Sequence, residues 1–369
     1  MPAVRVAAIY PHICPKQRII FLFKKEIYMK NFKRVIAAAA CAATAAVMCA
    51  TMLACGDGAD ANPESVKLFS VAATDVGAPG IDADYFVAAE PAATTRANAT
   101  GLKFAGDLQE LYGAEGGYPQ AVLVAKNELV ESNPAFLSAF IAEVEENASW
   151  LATATAKTII DTVASHLPAD TTPTFTEKNL NATVIANCGI NFVSAAQDKQ
   201  RVNDFIEEMA EVDPSSVGTI TDSFFCGTLG TASQPSEISV YMPDGAPALA
   251  LAKLMNEENQ FGQTSVEYNV VPADTIGAQV NGADPAADIC VLPVNAASKL
   301  LGSGEKYKML GTVTNGNLYL LTEDGESITE QNVSPLAGKK IGVINLANVP
   351  GLTLKIILNK YDVAFETLQ

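Results

Sequence analysis

The sequence predicts an α/β protein built on mostly parallel sheets. Short apolar runs alternate with amphipathic segments, so that strand, loop and helix follow one another repeatedly. The strand-to-helix junctions share a design, a small or Asn residue followed by a helix led by Pro or Ala. Once the N-terminal 54 residues are set aside, roughly 315 remain, enough for two domains. Repeated strand–helix–strand units close as right-handed crossovers, which makes the sheets parallel.

The elements follow in order. Val66–Val71 and Tyr85–Ala89 are strand-like, and the second runs into Glu90-Pro91 and a helix start. Ala121–Ala125 is a further short strand. From Asn133-Pro134 to about Ala156 the pattern is helical, because Phe136, Phe140, Val144 and Ala148 recur every four residues. Asn133 is placed as cap and Pro134 in the first turn. Ser194–Ala210 is a second amphipathic helix with Val202, Phe205, Ile206 and Met209 on one face. Residues 226–237 are rich in Gly, Ser, Thr and Pro and read as a linker. Beyond it, strands at Ile238–Met242, Ser265–Val271 and Ile289–Leu292 alternate with helices at Ala248–Asn256, around Ala273–Gly282 and at Ala296–Leu301. Strand Leu318–Thr322, strand Lys340–Ile344 and helix Gly351–Lys360 complete the chain.

The N-terminus sets the compartment. Lys30, Lys33 and Arg34 precede an uncharged, Ala-rich run from Val35 to Ala54, which ends in Met52-Leu53-Ala54-Cys55-Gly56. A basic start, an apolar run and small residues before a Cys describe a lipoprotein signal, with Cys55 as the lipidated residue. The alternative is a plain membrane anchor, since about 20 apolar residues span a bilayer. Met52 stands where such signals usually carry Leu. Residues 1–28 read as an upstream extension before Met29, and residues 55–64 as a tether. The chain is therefore expected outside the cytoplasm, on the outer face of the membrane or in the periplasm, touching the membrane only through its anchor.

Composition agrees. Of 24 Lys/Arg and 41 Asp/Glu, the residues after Ala54 hold 16 and 40, a net charge of −24. Nucleic-acid phosphates require a basic footprint, so a nucleic-acid partner is excluded. Cys14, Cys41 and Cys49 precede Cys55, leaving Cys188, Cys226 and Cys290; one disulfide or three free thiols are both open.

Ligands of open α/β sheets bind outside the carboxyl ends of the strands. Four junctions stand there: Asp244-Gly245-Ala246-Pro247, Asn295-Ala296, Asn345 to Pro350 with Ala347 and Asn348, and Glu90-Pro91-Ala92. Helix N-termini present unpaired N–H groups and partial positive charge, so several converging on one cleft hold a polar or anionic small molecule. The competing reading of each is a capped helix and nothing more.

Several segments resemble the solute-binding proteins of ABC importers for nitrate, sulfonates, taurine and thiamine-pyrimidine precursors. Tyr85-Phe86-Val87-Ala88-Ala89-Glu90-Pro91-Ala92-Ala93-Thr94 is similar to a signature of that family. Tyr118-Pro119-Gln120-Ala121-Val122-Leu123-Val124 with Asn133-Pro134 resembles its next segment. Gly338-Lys339-Lys340-Ile341-Gly342-Val343 with Pro350-Gly351-Leu352-Thr353-Leu354 resembles the opening of its second lobe. Ile238 to Met255 and Asp288-Ile289-Cys290-Val291-Leu292-Pro293 resemble its first. The order departs from the family: the piece at 65–225 belongs last there, after those at 238–325 and 326–369. The chain thus looks circularly permuted, which surface chain breaks permit.

The resemblance implies a two-lobed periplasmic-binding-protein fold of the second type. Lobe A would hold 238–325 with returning helices near 194–212, and lobe B 326–369 with 64–165. The hinge strands would be Leu318–Thr322 and Val122–Ala125. It implies a small-molecule ligand between the lobes and an ABC permease as partner, with no cofactor and no metal. To the junction residues it adds Thr314, Asn315, Tyr118 and Gln120 as ligand contacts. Glu90 would accept from an amine or amide of the ligand, or serve as a structural carboxylate. With no Arg or Lys in the four junctions, the ligand reads as neutral or zwitterionic rather than strongly anionic. Arg96 is the nearest candidate cation.

Enzyme chemistry finds little support. His166 is the one His after Cys55, and no GxSxG, HExxH, GxGxxG or phosphate-loop motif occurs. An enzyme of the same two-lobe fold in thiamine or menaquinone precursor synthesis, and a ligand-sensing surface lipoprotein without transport, remain the alternatives.

Overall fold

The computed structural model describes residues 65–368 apart from 170, 235–236, 258–260 and 325–326. Cys55, the signal segment and the tether lie outside them. The elements run β1 (Val66–Val71), β2 (Tyr85–Ala89), α1 (Ala92–Thr100), β3 (Lys103–Asp107), α2 (Leu108–Tyr112), β4 (Ala121–Lys126), α3 (Asn127–Ser132), α4 (Pro134–Leu151), α5 (Ala156–Ala164), α6 (Ala182–Asn187), β5 (Ile190–Ser194) and α7 (Ala195–Val212). Then follow β6 (Glu237–Pro243), α8 (Ala246–Leu249), α9 (Ala252–Asn256), β7 (Ser265–Val271), β8 (Ile289–Pro293), α10 (Val294–Leu301), β9 (Tyr307–Thr314), β10 (Leu318–Thr322), β11 (Lys340–Ile344), α11 (Val349–Lys360) and β12 (Phe365–Thr367).

The strands form two six-stranded sheets. The first has the order β12-β1-β11-β2-β10-β3 and the second β5-β9-β4-β8-β6-β7. In the first, β1 pairs in parallel with β11 and β12, and β11 with β2; β10 alone runs against its neighbours. In the second, β6 is parallel to β7 and β8, while β4 runs against β8 and β9. Central strands bury both faces, so β2, β4, β8 and β10 are continuous apolar runs rather than alternating ones. The two lobes of mostly parallel sheet with flanking helices are as the sequence predicts.

The chain changes sheet only twice among these strands, between β3 and β4 and between β9 and β10. The second lobe is therefore one continuous segment, 121–314, and the first is made from both ends of the chain. This corrects the expected boundaries. Helices α4 and α5, assigned to lobe B from sequence, pack with α9 in the second lobe, and β10 lies in the first sheet rather than with 238–314. Phe136 of α4 meets Phe261 edge-on, Phe140 lies tilted against it, and Asn147 donates to Leu249 O, which fixes α4 there.

Local chemistry accounts for most element ends. Asp107 caps α2 by accepting from the N–H groups of Gln109 and Glu110 at 2.7 and 3.2 Å, and Asn181 caps α6 likewise. Two expected helices differ. The segment 273–282 makes only a short 3₁₀ turn, Ile276–Gln279, because Pro272, Gly277 and a left-handed Gly282 (φ 97°) bracket it. The helix 248–256 breaks at Leu251, whose N–H bonds three residues back to Ala248 O.

The core explains how the lobes are joined. One apolar cluster runs through both sheets, with Leu68, Val343 and Leu320 on one side and Val124, Leu292 and Met309 on the other. Val202 and Phe205 of α7 and Leu352 of α11 belong to it, and α7 packs on α11, α10 and β9. The far faces of the sheets carry separate clusters. The two ends of the described chain are neighbours: Val66 pairs with Phe365, and the N–H of Leu368 bonds Leu68 O at 2.8 Å.

Candidate functional site: the seam between the lobes

The strand-to-helix junctions of both sheets meet where the lobes face each other. At the end of β8, Asn295 opens α10 and is 3% exposed. Its Nδ2 donates to Ser216 O and, across the lobes, to Oδ1 of Asn348, both at 3.3 Å. Asn348 precedes α11 but caps no helix N–H with its side chain, so that side chain is spent on the other lobe. Gln120 lies alongside: its N–H donates to Thr314 O at 2.9 Å and its carbonyl accepts from Val294 N at 3.0 Å. A second contact across the lobes joins Asn98 Nδ2 of α1 to Asn179 Oδ1 at 2.9 Å.

Glu90 ends β2 and is 1% exposed. Its carboxylate accepts from Thr94 N–H at 3.0 Å and from the Thr94 hydroxyl at 2.6 Å, and no Lys or Arg pairs with it among the described residues. Burial pushes its pKa up, against the pull of the two Thr94 bonds. Asn317 is its partner across the sheet. Glu90 N–H bonds Asn317 O at 2.9 Å, and Asn317 Nδ2 returns a bond to Glu90 O at 3.1 Å.

Both crossovers are gathered by one side chain. Arg201 on α7 grips Asp198 through Nε at 2.6 Å and Nη2 at 3.1 Å. Its Nη1 donates to Gly116 O at 3.1 Å in the first crossover, and Nη2 to Asn315 Oδ1 in the second. Asp198 also accepts from the Thr312 hydroxyl. Beneath it, Gln109 accepts at Oε1 from Leu318 N–H and from the Tyr118 hydroxyl, at 2.8 and 2.7 Å.

The predicted contacts thus divide. Asn295, Asn348, Gln120 and Glu90 come to the seam, with Ala296 half-buried beside Asn295 and Thr314 tied to Gln120. Asn315 is a hinge residue, bonding Arg201, Asn191 O at 2.7 Å and Gly189 O at 2.8 Å. Tyr118 is a correction: it is fully buried, stacked on Phe205 and edge-on to Tyr112, because its hydroxyl is needed inside by Gln109. Asp244 is another, since its two oxygens hold the N–H groups of Thr174 and Gly245 at 2.8 and 2.7 Å and so order the loop beside them. Gly245 and Ala246 are both buried, at the start of the four-residue α8. Asn345, left-handed at φ 58°, and Ala347 are exposed. Arg96, the nearest candidate cation, donates through Nε and Nη2 to Val76 O at 3.1 and 2.7 Å.

Sequence reading missed Asn317, Arg201, Gln109 and Asn179. Asn317 stood two residues from a named pair, while Arg201 on a solvent-patterned helix gives no local signal. His166 Nε2 lies 3.3 Å from Met255 O and its ring meets Tyr268 edge-on. Cys188, Cys226 and Cys290 are all free. Among the described residues no group of three His, Cys, Asp or Glu is placed to hold a metal, and no helix is long and apolar enough to cross a membrane. Three surface pockets lie on α7 against residues 214–220, between α2, α7 and α11, and beside β5 and residues 226–229; none is lined by the seam residues.

Two outcomes test this geometry. Arg201→Met strands the buried Asp198 carboxylate, and because Arg201 is itself about a quarter exposed, the loss should be about 3 kcal/mol in urea unfolding; adding Asp198→Asn should restore most of it. For Glu90, a folded pKa raised above the unfolded one means that the folded state holds the proton more tightly. Its contribution to stability is then present below the ordinary carboxyl value of 4.5 and is lost as pH rises through the raised value. Glu90→Gln should flatten that part of the stability–pH profile and leave the molecule relatively more stable at pH 7 than the parent, as read by thermal unfolding across pH.

No protein-family model matches the sequence, and no curated protein is similar to it at a significant level. Among solved structures, the chain has a likeness to the oligopeptide-binding protein of Bacillus subtilis in complex with a nonapeptide. The TM-score is 0.25 and the identity 11%, over 72% of this chain and 56% of that one, so the likeness spans little more than half of that protein.

Proposed function

We propose that the chain is the extracytoplasmic solute-binding component of an ABC importer, lipid-anchored at Cys55. It captures a small organic molecule between its lobes and presents the closed form to a membrane permease. The observation that carries this reading is the seam: two α/β lobes joined by two crossovers, with Asn295 of one lobe meeting Asn348 of the other at helix starts. Ligands of such sheets bind at strand carboxyl ends, and closure about two crossovers is how two-lobed binders trade water for protein contacts. The resemblance of residues 85–94, 338–354 and 238–255 to importer solute-binding proteins supports the same reading.

The chain order is proposed to be a circular permutation of that family's. The parallel pairing of β12 with β1 supports it, since it brings the two ends side by side in one sheet.

Two measurements test these proposals. Sulfonates, nitrate, taurine, pyrimidines, amino acids and aromatic acids should include one class that raises the unfolding midpoint of the purified chain by mass action. A cooperative melt that no class moves would count against solute binding. A chain reopened within residues 227–234, with Gln369 joined to Pro63, should melt within a few degrees of the original and respond to the same ligand. Failure of this rejoined chain to fold would overturn the permutation.

A further inference from the structure

Three side-chain oxygens at the seam lack a donor. Asn295 Oδ1, Asn317 Oδ1 and Gln120 Oε1 are buried and accept no hydrogen bond from any described residue. For Asn295 and Asn317 the orientation is fixed by bonds of the amide nitrogen, and the need for a donor rests on these two oxygens, with Gln120 beside them. Asn295 Nδ2 faces two acceptors, Ser216 O and Asn348 Oδ1, and Asn317 Nδ2 faces Glu90 O, so neither amide gains from being turned over. A buried acceptor left unmatched is costly and rare, and each instance calls for a partner.

The three sit on both sides of the seam. Gln120 and Asn295 are adjacent through the bond of Gln120 O to Val294 N–H, and Asn317 is paired with Glu90. Glu90 adds a buried carboxylate that no Lys or Arg neutralises among the described residues. Cations close to these residues in the chain are engaged elsewhere: Lys299 with Ser215 O, Lys126 with Asp288, Arg96 with Val76 O, and Lys355, 3.9 Å from Asp213. The lining therefore supplies acceptors and negative charge and asks for donors and positive charge.

We propose that the seam takes an organic cation bearing N–H groups, a primary ammonium or a guanidinium, and rejects oxyanions. This rests on the solute-binding reading and narrows it, against the anionic ligands that the family resemblance includes.

The test uses the full chain and measures affinity by calorimetry for benzylamine, agmatine, benzyltrimethylammonium, ethanesulfonate and nitrate. Benzylamine or agmatine should bind, and benzyltrimethylammonium, of like charge but without N–H, at least tenfold more weakly. Ethanesulfonate and nitrate should give no heat. Gln120→Met and Asn295→Leu should each weaken the bound amine at least tenfold, while Gln120→Met leaves the unliganded midpoint unchanged or higher. Binding of an anion in place of the amines would overturn the proposal and leave solute binding standing. Equal binding of the trimethylated probe, or amine binding indifferent to both variants, would also overturn it. Binding of none of the five would overturn the proposal alone if a molecule of the wider screen still raises the midpoint, and both readings if none does.

Discussion

The arrangement depends on a buried carboxylate and the guanidinium that answers it. Asp198 is 2% exposed, and an uncompensated charge at such a site costs several kcal/mol. Arg201 compensates it with two donors from one planar fork, a geometry that a lysine cannot reproduce. What remains of the same guanidinium then reaches Gly116 in one crossover and Asn315 in the other. One side chain thus sets where both connections between the lobes lie relative to α7. The backbone confirms how close they are. A Cβ on Gly117 would come within 2.4 Å of Asn315 O, and one on Gly189 within 2.2 Å of Gly316 O, and both glycines have positive φ. Residues without side chains are needed there because main chain meets main chain.

That clamp gives the lobes an axis rather than a weld. The shared apolar cluster reaches Val294 and Leu346, so burial continues up to the edge of the seam. There the contact changes character. Asn295 to Asn348 is a single hydrogen bond of 3.3 Å, at the long end of the range, between neutral groups. Amide dipoles carry no Born cost, so exchanging this bond for one to water costs only about 1 kcal/mol net. An ion pair in the same place would be far harder to open and close. The lobes are thus joined by a charged, fully bonded clamp at the crossovers and by a weak neutral contact at the seam.

Much of this was legible in sequence, and for identifiable reasons. The buried strands Tyr85–Ala89, Ile289–Pro293 and Leu318–Thr322 are unbroken apolar runs bounded by turn residues, and the helix at Pro134 announces itself through its leading proline and a four-residue period, although Asn133, expected as its cap, makes no side-chain bond to the helix N–H groups. Residues at strand ends are nominated by position alone, and Asn295, Asn348 and Glu90 do lie where the strands of the two sheets end. The strand Tyr307–Thr314 was not, since Lys308 and Gly311 interrupt its pattern; Gly311 is small because a Cβ there would meet Phe192 and Val193 O. Tyr118 and Asp244 show the limit of position as a guide. Both have the right chemistry and stand at junctions, yet their polar atoms are taken by Gln109 and Thr174, partners 9 and 70 residues away. The allegiance of α4 was equally hidden, because it is decided by Phe261, far along the chain.

The electrostatics of the seam follow the same logic. Counting Lys and Arg in the junction loops addresses the wrong quantity; what matters is how many of their N–H groups remain uncommitted. Arg96 and Arg201 both lie within a few residues of seam positions in space or sequence, and each is spent on the protein's own oxygens. An oxyanion entering here would face Glu90 and the side-chain carbonyls of Asn295 and Asn317. Each of those oxygens would be repelled by it as well as left unmatched, two penalties of the same sign. A cation with N–H groups removes both at once. The net charge of −24 after Ala54 acts in the same direction at longer range, since an acidic surface attracts cations and repels anions.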